Sequence, residues 1–187
     1  MKLRTHVITG FSLAVSTALY TGFDATGAFM LGVLGGVVNI VIDLPGHKYR
    51  RRTPWSHSFL GASLIALVVY TIIYILALME PSSVDIVAGN ELASYISVLA
   101  ASWSHLLLDM VTEGGIFPWW PFRRSRLRLA MLNYDDPMAN SIAILASVAL
   151  LLHAVGVAGE DLWRELFVHW HSVRLAGGAS HSSHFQS

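Results

Sequence analysis

Ser102-Trp103-Ser104-His105-Leu106-Leu107-Leu108-Asp109-Met110-Val111-Thr112-Glu113-Gly114-Gly115 is the stretch whose reading decides the fold. It closes an apolar segment and carries a histidine and an aspartate four residues apart. On a helix that spacing stacks both side chains on one face, with Glu113 a further turn along. A charged group at the centre of a bilayer costs about 2.5–3.5 kcal/mol on insertion scales. Three polar groups on one stripe therefore imply a shared partner, and a metal ion is the simplest one.

The composition around this stretch is that of a membrane protein. Of 187 residues, 54% are hydrophobic and only 13% charged, against about 25% charged in soluble domains. Mean hydropathy is +0.55. Zero net charge argues neither for nor against nucleic acid, and no nucleic-acid partner is indicated. The absence of cysteine excludes disulfides, thiolate metal sites and cysteine nucleophiles, leaving His, carboxylate, Asn or backbone oxygen to hold any metal. Lys2 and Arg4 before an apolar run resemble the start of a signal peptide. No small-residue cleavage site into a soluble domain follows, so the run is expected to be retained.

Five segments approach the roughly 20 residues a bilayer core requires: 7–23, 27–44, 57–79, 92–111 and 139–157. The second holds Gly32-Val33-Leu34-Gly35-Gly36, a small-residue pattern that lets helices approach closely in lipid. Ten of the twelve Lys and Arg residues fall on one side of a five-span arrangement, which makes that side cytoplasmic. The expected fold is thus all-α, a polytopic helical bundle of about five transmembrane helices over 1–158. Its N-terminus is cytoplasmic and its C-terminus outside, in the plasma membrane.

After the fifth span, Leu162, Trp163, Leu166, Phe167, Trp170 and Val173 recur at helical spacing between polar residues. Residues 159–176 are therefore expected to form an amphipathic interfacial helix, which would also suit a protein partner. The Gly/Ser/His-rich end, 177–187, reads as a disordered tail. Membrane lipid is the expected environment, with a homo-oligomer left open.

On this topology His6, His47, His57 and His105 fall at the cytoplasmic ends of spans, as do Asp43 and Asp109. Pro45-Gly46 should end the second helix before His47. In Arg52-Thr53-Pro54-Trp55-Ser56-His57-Ser58, Thr53 or Ser56 would cap the third helix with Pro54 in its first turn. The arginine runs follow from positive-inside anchoring, and Asp109 could instead pair with Arg50 or Arg52.

These same residues carry a resemblance. Thr5-His6, Asp43-Leu-Pro-Gly-His47, Arg52-Thr-Pro-Trp-Ser-His57-Ser58 and Ser104-His105-Leu-Leu-Leu-Asp109, with Thr112, Gly115 and Pro121-Phe122, are similar to a known family. It is that of inner-membrane metal-dependent hydrolases, also called LexA-binding or YdjM-like, and the chain looks most like archaeal relatives. The resemblance covers roughly residues 1–143. It implies a polytopic membrane protein whose His and Asp residues hold metal. Family members often carry a second Asp two residues after the first, where this chain has Pro45, which weakens the case for a two-metal centre.

On this reading His57, His105 and Asp109 bind a divalent metal, preferably zinc, with manganese or magnesium as alternatives. His6, Asp43 and His47 are further ligands or supports. Such a set with an open position brings the pKa of bound water toward about 7. Glu113 or Asp43 would be general base, and Arg50, Arg52 and Arg123 would suit a substrate phosphate on a phospholipid or prenyl phosphate. Trp119-Trp120 would form an interfacial belt. The alternative is a non-enzymatic membrane scaffold or assembly subunit with a structural metal or polar network. A small transporter is disfavoured because its polar groups should lie near the midplane.

Overall fold

The computed structural model describes residues 1–46, 52–79 and 90–179. They form five helices: α1 (Leu3–Tyr20), α2 (Ala25–Gly46), α3 (Phe59–Met79), α4 (Glu91–Met110) and α5 (Pro137–Ala179). No strand occurs among the described residues, only two isolated bridges, Thr112 with Leu132 and Ile116 with Leu127.

Three of these helices are long and apolar enough to cross a membrane: α2 over Ala25–Leu44, α3 over Phe59–Met79 and α5 over Pro137–Glu160. Five such spans were expected, and α1 and α4 fall short of the composition. Both are inner helices. α1 packs on α2, α4 and α5, while α4 packs on α1, α2 and α3. Their polar residues face inward: Thr5, His6, Thr9, Ser12 and Ser16 on α1, and Ser94, Ser97, Ser102, Ser104, His105 and Asp109 on α4, are all buried. Leucines and isoleucines on α3 and α5 instead face outward, among them Leu64, Ile72, Leu76, Leu145 and Leu152. Apolar outside and polar within is the arrangement that a hydrocarbon solvent selects.

Two devices hold the helices together. Hydroxyls bridge them: Ser147 Oγ donates to Thr9 Oγ1 at 2.9 Å, Ser102 Oγ to the Ala62 carbonyl at 2.9 Å and Thr5 Oγ1 to Asn140 Oδ1 at 2.6 Å. Such contacts average about 0.6 kcal/mol each in lipid. Small residues let the backbones meet. A Cβ at Gly35 would lie 2.8 Å from the Gly10 carbonyl oxygen and 2.9 Å from Ala101 Cβ, so α1, α2 and α4 converge at this one residue.

Side chains cap the starts of α2, α3 and α5, whereas α1 and α4 begin without one. Asp24 accepts the Gly27 N–H at 2.8 Å, and Asp136 accepts that of Ala139 at 2.8 Å just before Pro137. At α3 the cap is Ser58, whose Oγ accepts the Gly61 N–H at 3.0 Å, in place of the expected Thr53 or Ser56. α5 continues without interruption from Pro137 to Ala179, so the fifth span and the expected amphipathic segment are one helix. Residues 180–187 of the expected tail lie outside the described residues.

The connection between α4 and α5 crosses the end of the bundle where Asp43 and Asp109 sit. It is pinned by Ile116 and Leu127, which exchange backbone bonds at 3.0 and 2.9 Å, and by the Leu129 N–H on the Met110 carbonyl at 2.7 Å. Trp119 and Phe122 stand exposed on it beside Arg123, Arg124 and Arg126. Gly35→Val should force α1 and α4 from α2 and cost about 1–3 kcal/mol, read as a lower Tm in detergent, whereas an unchanged Tm would show that the helices do not meet there.

Candidate metal centre

Four separate parts of the chain deliver side chains to one point. His6 comes from the first turns of α1, Asp43 from the last turn of α2, His57 from the turn before α3, and His105 and Asp109 from successive turns of α4. Antiparallel packing puts all these helix ends on one side of the bundle. Asp109 is fully buried at the centre. Its Oδ1 lies 3.2 Å from His6 Nε2, and its Oδ2 lies 3.4 Å from His57 Nε2 and 3.5 Å from His105 Nε2. Asp43 Oδ1 is 3.5 Å from His105 Nε2. The His6 and His105 rings stack with centroids 3.9 Å apart, and His57 meets His105 edge-on at 5.5 Å.

Several of these atoms face one another at distances beyond a hydrogen bond. Both ring nitrogens of His6, both of His105 and Oδ2 of Asp109 are buried and take no hydrogen bond among the described residues. Leaving such groups unsatisfied costs about 1–3 kcal/mol each, and one partner at this point could satisfy several of them. His6, His105 and Asp109 form one set, and Asp43, His57 and His105 another, with the ligand atoms of each set within 4.8 Å of one another. Imidazole and carboxylate donors around a shared point fit a divalent cation, and three imidazoles favour zinc over oxygen-seeking magnesium.

A surrounding layer holds the donors in place. The Ser56 hydroxyl and His57 Nδ1 share a hydrogen bond at 2.9 Å, and Thr53 and Ser56 hydroxyls share one at 2.7 Å. The Phe117 N–H donates to the His57 carbonyl at 2.8 Å, tying this turn to the α4–α5 connection. His57 lies outside the α3 span, and burial lowers its imidazole pKa, opposed by the nearby Asp109 carboxylate. Burial thus favours the neutral ring, the form that binds metal. Asn39 Nδ2 donates to the His6 carbonyl at 2.7 Å, and Thr112 Oγ1 to that of Asp109 at 2.9 Å.

Arg52 supplies the positive charge. One guanidinium nitrogen, Nη2, donates to Asp109 Oδ1 at 2.6 Å, while Nη1 donates to the carbonyls of Gly115 at 2.8 Å and Asp109 at 3.3 Å. Gly115 turns this carbonyl inward with φ +59°, where a Cβ would also strike the Leu127 carbonyl at 2.5 Å. Burial lowers the Arg52 pKa, opposed chiefly by Asp109. The Met1 amino group adds a bond to Asp109 Oδ1 at 2.9 Å.

Of the expected site residues, the fold gathers His6, Asp43, His57, His105 and Asp109. Arg52 joins them through its ion pair with Asp109. Glu113 is exposed in the turn after α4 and belongs to neither donor set. Arg123 is exposed on the connection. His47 and Arg50 lie outside the described residues. Ser56 and Thr53 were read as helix caps, and nothing in their spacing distinguishes a cap from a histidine support.

The profile of the YdjM inner membrane protein family matches residues 1–181, nearly the whole chain. The chain belongs to the YdjM inner membrane protein family. Its three helices long and apolar enough to cross a membrane agree with that membership. No curated protein and no solved structure matches the chain.

In this YdjM-family fold, Arg52→Ala should strip buried Asp109 of its guanidinium and the Gly115 carbonyl of its donor. The expected loss is about 3 kcal/mol, seen as a lower Tm in metal-free protein, and an unchanged Tm would show that the pair does not stabilise the bundle.

Proposed function

We propose that this membrane protein is a metal-dependent hydrolase working at the cytoplasmic membrane face on a phospholipid or another phosphoester. The observation that carries the reading is the convergence of His6, His57, His105 and Asp109, with the His6 and His105 ring nitrogens buried and unbonded among the described residues. On this reading α1 and α4 also cross the bilayer. At 18 and 20 residues they are about 27 and 30 Å long, close to the hydrocarbon thickness. The basic connections support a cytoplasmic position for the centre.

His6, His57, His105 and Asp109 would hold the ion, with Asp43 beside it. A divalent cation there supplies water acidification and charge stabilisation at a phosphoryl oxygen. Hydrolysis breaks an O–H bond of water and the ester P–O bond, joins the water oxygen to phosphorus and releases the leaving oxygen, reprotonated, as an alcohol. Asp43, 3.5 Å from His105 Nε2, would accept the proton from water and return it to the leaving oxygen. Its side chain is 10% exposed, against 0–1% for the three histidines and Asp109, so it marks the open edge of the centre. Glu113, exposed and outside the donor sets, is the weaker candidate for that role. Arg52 is engaged by Asp109 and two carbonyls, so Arg123 and its exposed neighbours are better placed to meet a substrate phosphate.

One observation favours the scaffold reading: Arg52 already pairs with Asp109 at 2.6 Å. A polar network closed by that ion pair would bind no substrate. The two readings part on chemistry. Metal-loaded protein in vesicles should release radiolabelled head group from phosphatidylglycerol, Asp43→Asn should lower kcat by about 10²–10⁴-fold, and Ser56→Ala should weaken metal binding by about 10–100-fold. No release with the metal bound would favour the scaffold.

A further inference from the structure

A groove runs between α1 and α2 on the outside of the bundle. Val7 and Phe11 of α1 and Val33, Gly36, Val37 and Ile40 of α2 line it, and no polar residue does. Its volume, about 320 Å³, is at the small end for ligand sites. The α2 wall lies inside the Ala25–Leu44 span, which sets the groove at hydrocarbon depth. Val33 and Val37 are 44% and 40% exposed, so it opens sideways toward lipid. From Val33 to Ile40 it extends about 10 Å along α2.

One end of the groove adjoins the centre. Val7 follows His6, and Ile40 follows Asn39, whose amide holds the His6 carbonyl. Ile40 also lies three residues, about 4.5 Å of helix rise, before Asp43. Asp43 is the most exposed of the five gathered His and Asp residues, so the open edge of the centre and the end of the groove share one stretch of α2. Gly36 keeps the floor clear: a Cβ there would meet only Val7, at 3.4 Å, with the groove open beyond. Around the same end of the bundle, Arg123, Arg124 and Arg126 are exposed and complement a phosphate head group.

We propose that this groove binds one acyl chain of a phospholipid substrate and presents its phosphoester to the His/Asp centre from within the bilayer. The inference rests on the hydrolase reading and adds the substrate class and its route. Lateral access also accounts for a centre buried on all sides but Asp43, since the substrate need not leave the membrane to reach it.

The test is photolabelling. Full-length protein is reconstituted in phosphatidylcholine vesicles containing a trace of phosphatidylglycerol with a diazirine on its acyl chain, irradiated, and mapped by peptide mass spectrometry. Adducts should fall on Val7, Phe11, Val33 and Val37 at least fivefold more than on Leu64 and Ile72, which face outward on α3. Gly36→Leu should remove the groove adducts and leave those on α3, and Val37→Trp, at the exposed rim, should do the same should Gly36→Leu fail to fold. Equal labelling of groove and α3, or adducts insensitive to both variants, would overturn the proposal. So would groove labelling weaker than that of α3, the result if a second copy of the chain covers the groove. Metal content of the same samples separates the failures. Bound metal with uniform labelling sinks only the groove, whereas groove adducts on protein that binds no metal would overturn the substrate role and leave a structural lipid.

Discussion

A buried carboxylate in a hydrophobic bundle needs partners, and the rest of this structure is arranged around that requirement at Asp109. The carboxylate has no exposed surface and lies among the ends of four helices. Arg52 answers it from the α2–α3 connection, and His6, His57 and His105 surround it at 3.2–3.5 Å. Each partner comes from a different part of the chain, so the position of one acid couples α1, α3, α4 and the connections between them. A buried charge that loses its partner costs far more than a matched pair contributes. That asymmetry ties bundle stability to the integrity of the centre.

The rest of the packing serves the same end. α1 carries serines, threonines and Gly10 inward and α4 carries serines and Ala101, allowing close approach and interhelical hydrogen bonds, while α3 and α5 supply the apolar outer surface. Inner helices of this kind tolerate many serines and threonines because those side chains meet other helices rather than lipid. The α4–α5 connection, braced by its two bridges, holds both His57 and Arg52 through backbone contacts from Phe117 and Gly115. The centre is thereby fixed from the helix side and from the connection side at once.

Much of this was legible in the sequence because hydropathy and spacing are local. The four-residue step from His105 to Asp109, the alternating basic connections and the Gly32–Gly36 segment each follow from helix geometry in lipid, and the helices appear where the apolar segments lie. What sequence could not supply is who meets whom. Arg50 and Arg52 were equal candidates for Asp109, and only the tertiary path of the connection brings the Arg52 guanidinium to it. Glu113 continues the His105–Asp109 stripe on an ideal helix, but α4 ends at Met110 and the turn that follows carries Glu113 to the surface. Ser56 and Ser58 are alike as hydroxyls next to a helix start. Backbone geometry gives the cap to Ser58 and leaves Ser56 for His57. The same limit applies to span counting: a helix lined with buried serine reads as weakly apolar whatever its depth.

The central claim is that the histidines and Asp109 share a metal ion rather than a closed polar network. The most direct measurement is the metal content of detergent-purified protein, free of tag histidines and of the segment after Gly178, by elemental mass spectrometry. His105→Ala and Asp109→Asn are measured alongside. The account predicts near-stoichiometric divalent metal, zinc foremost, in the wild type and its loss in both variants. Protein that stays folded yet binds no metal after loading with zinc, manganese and magnesium would contradict it.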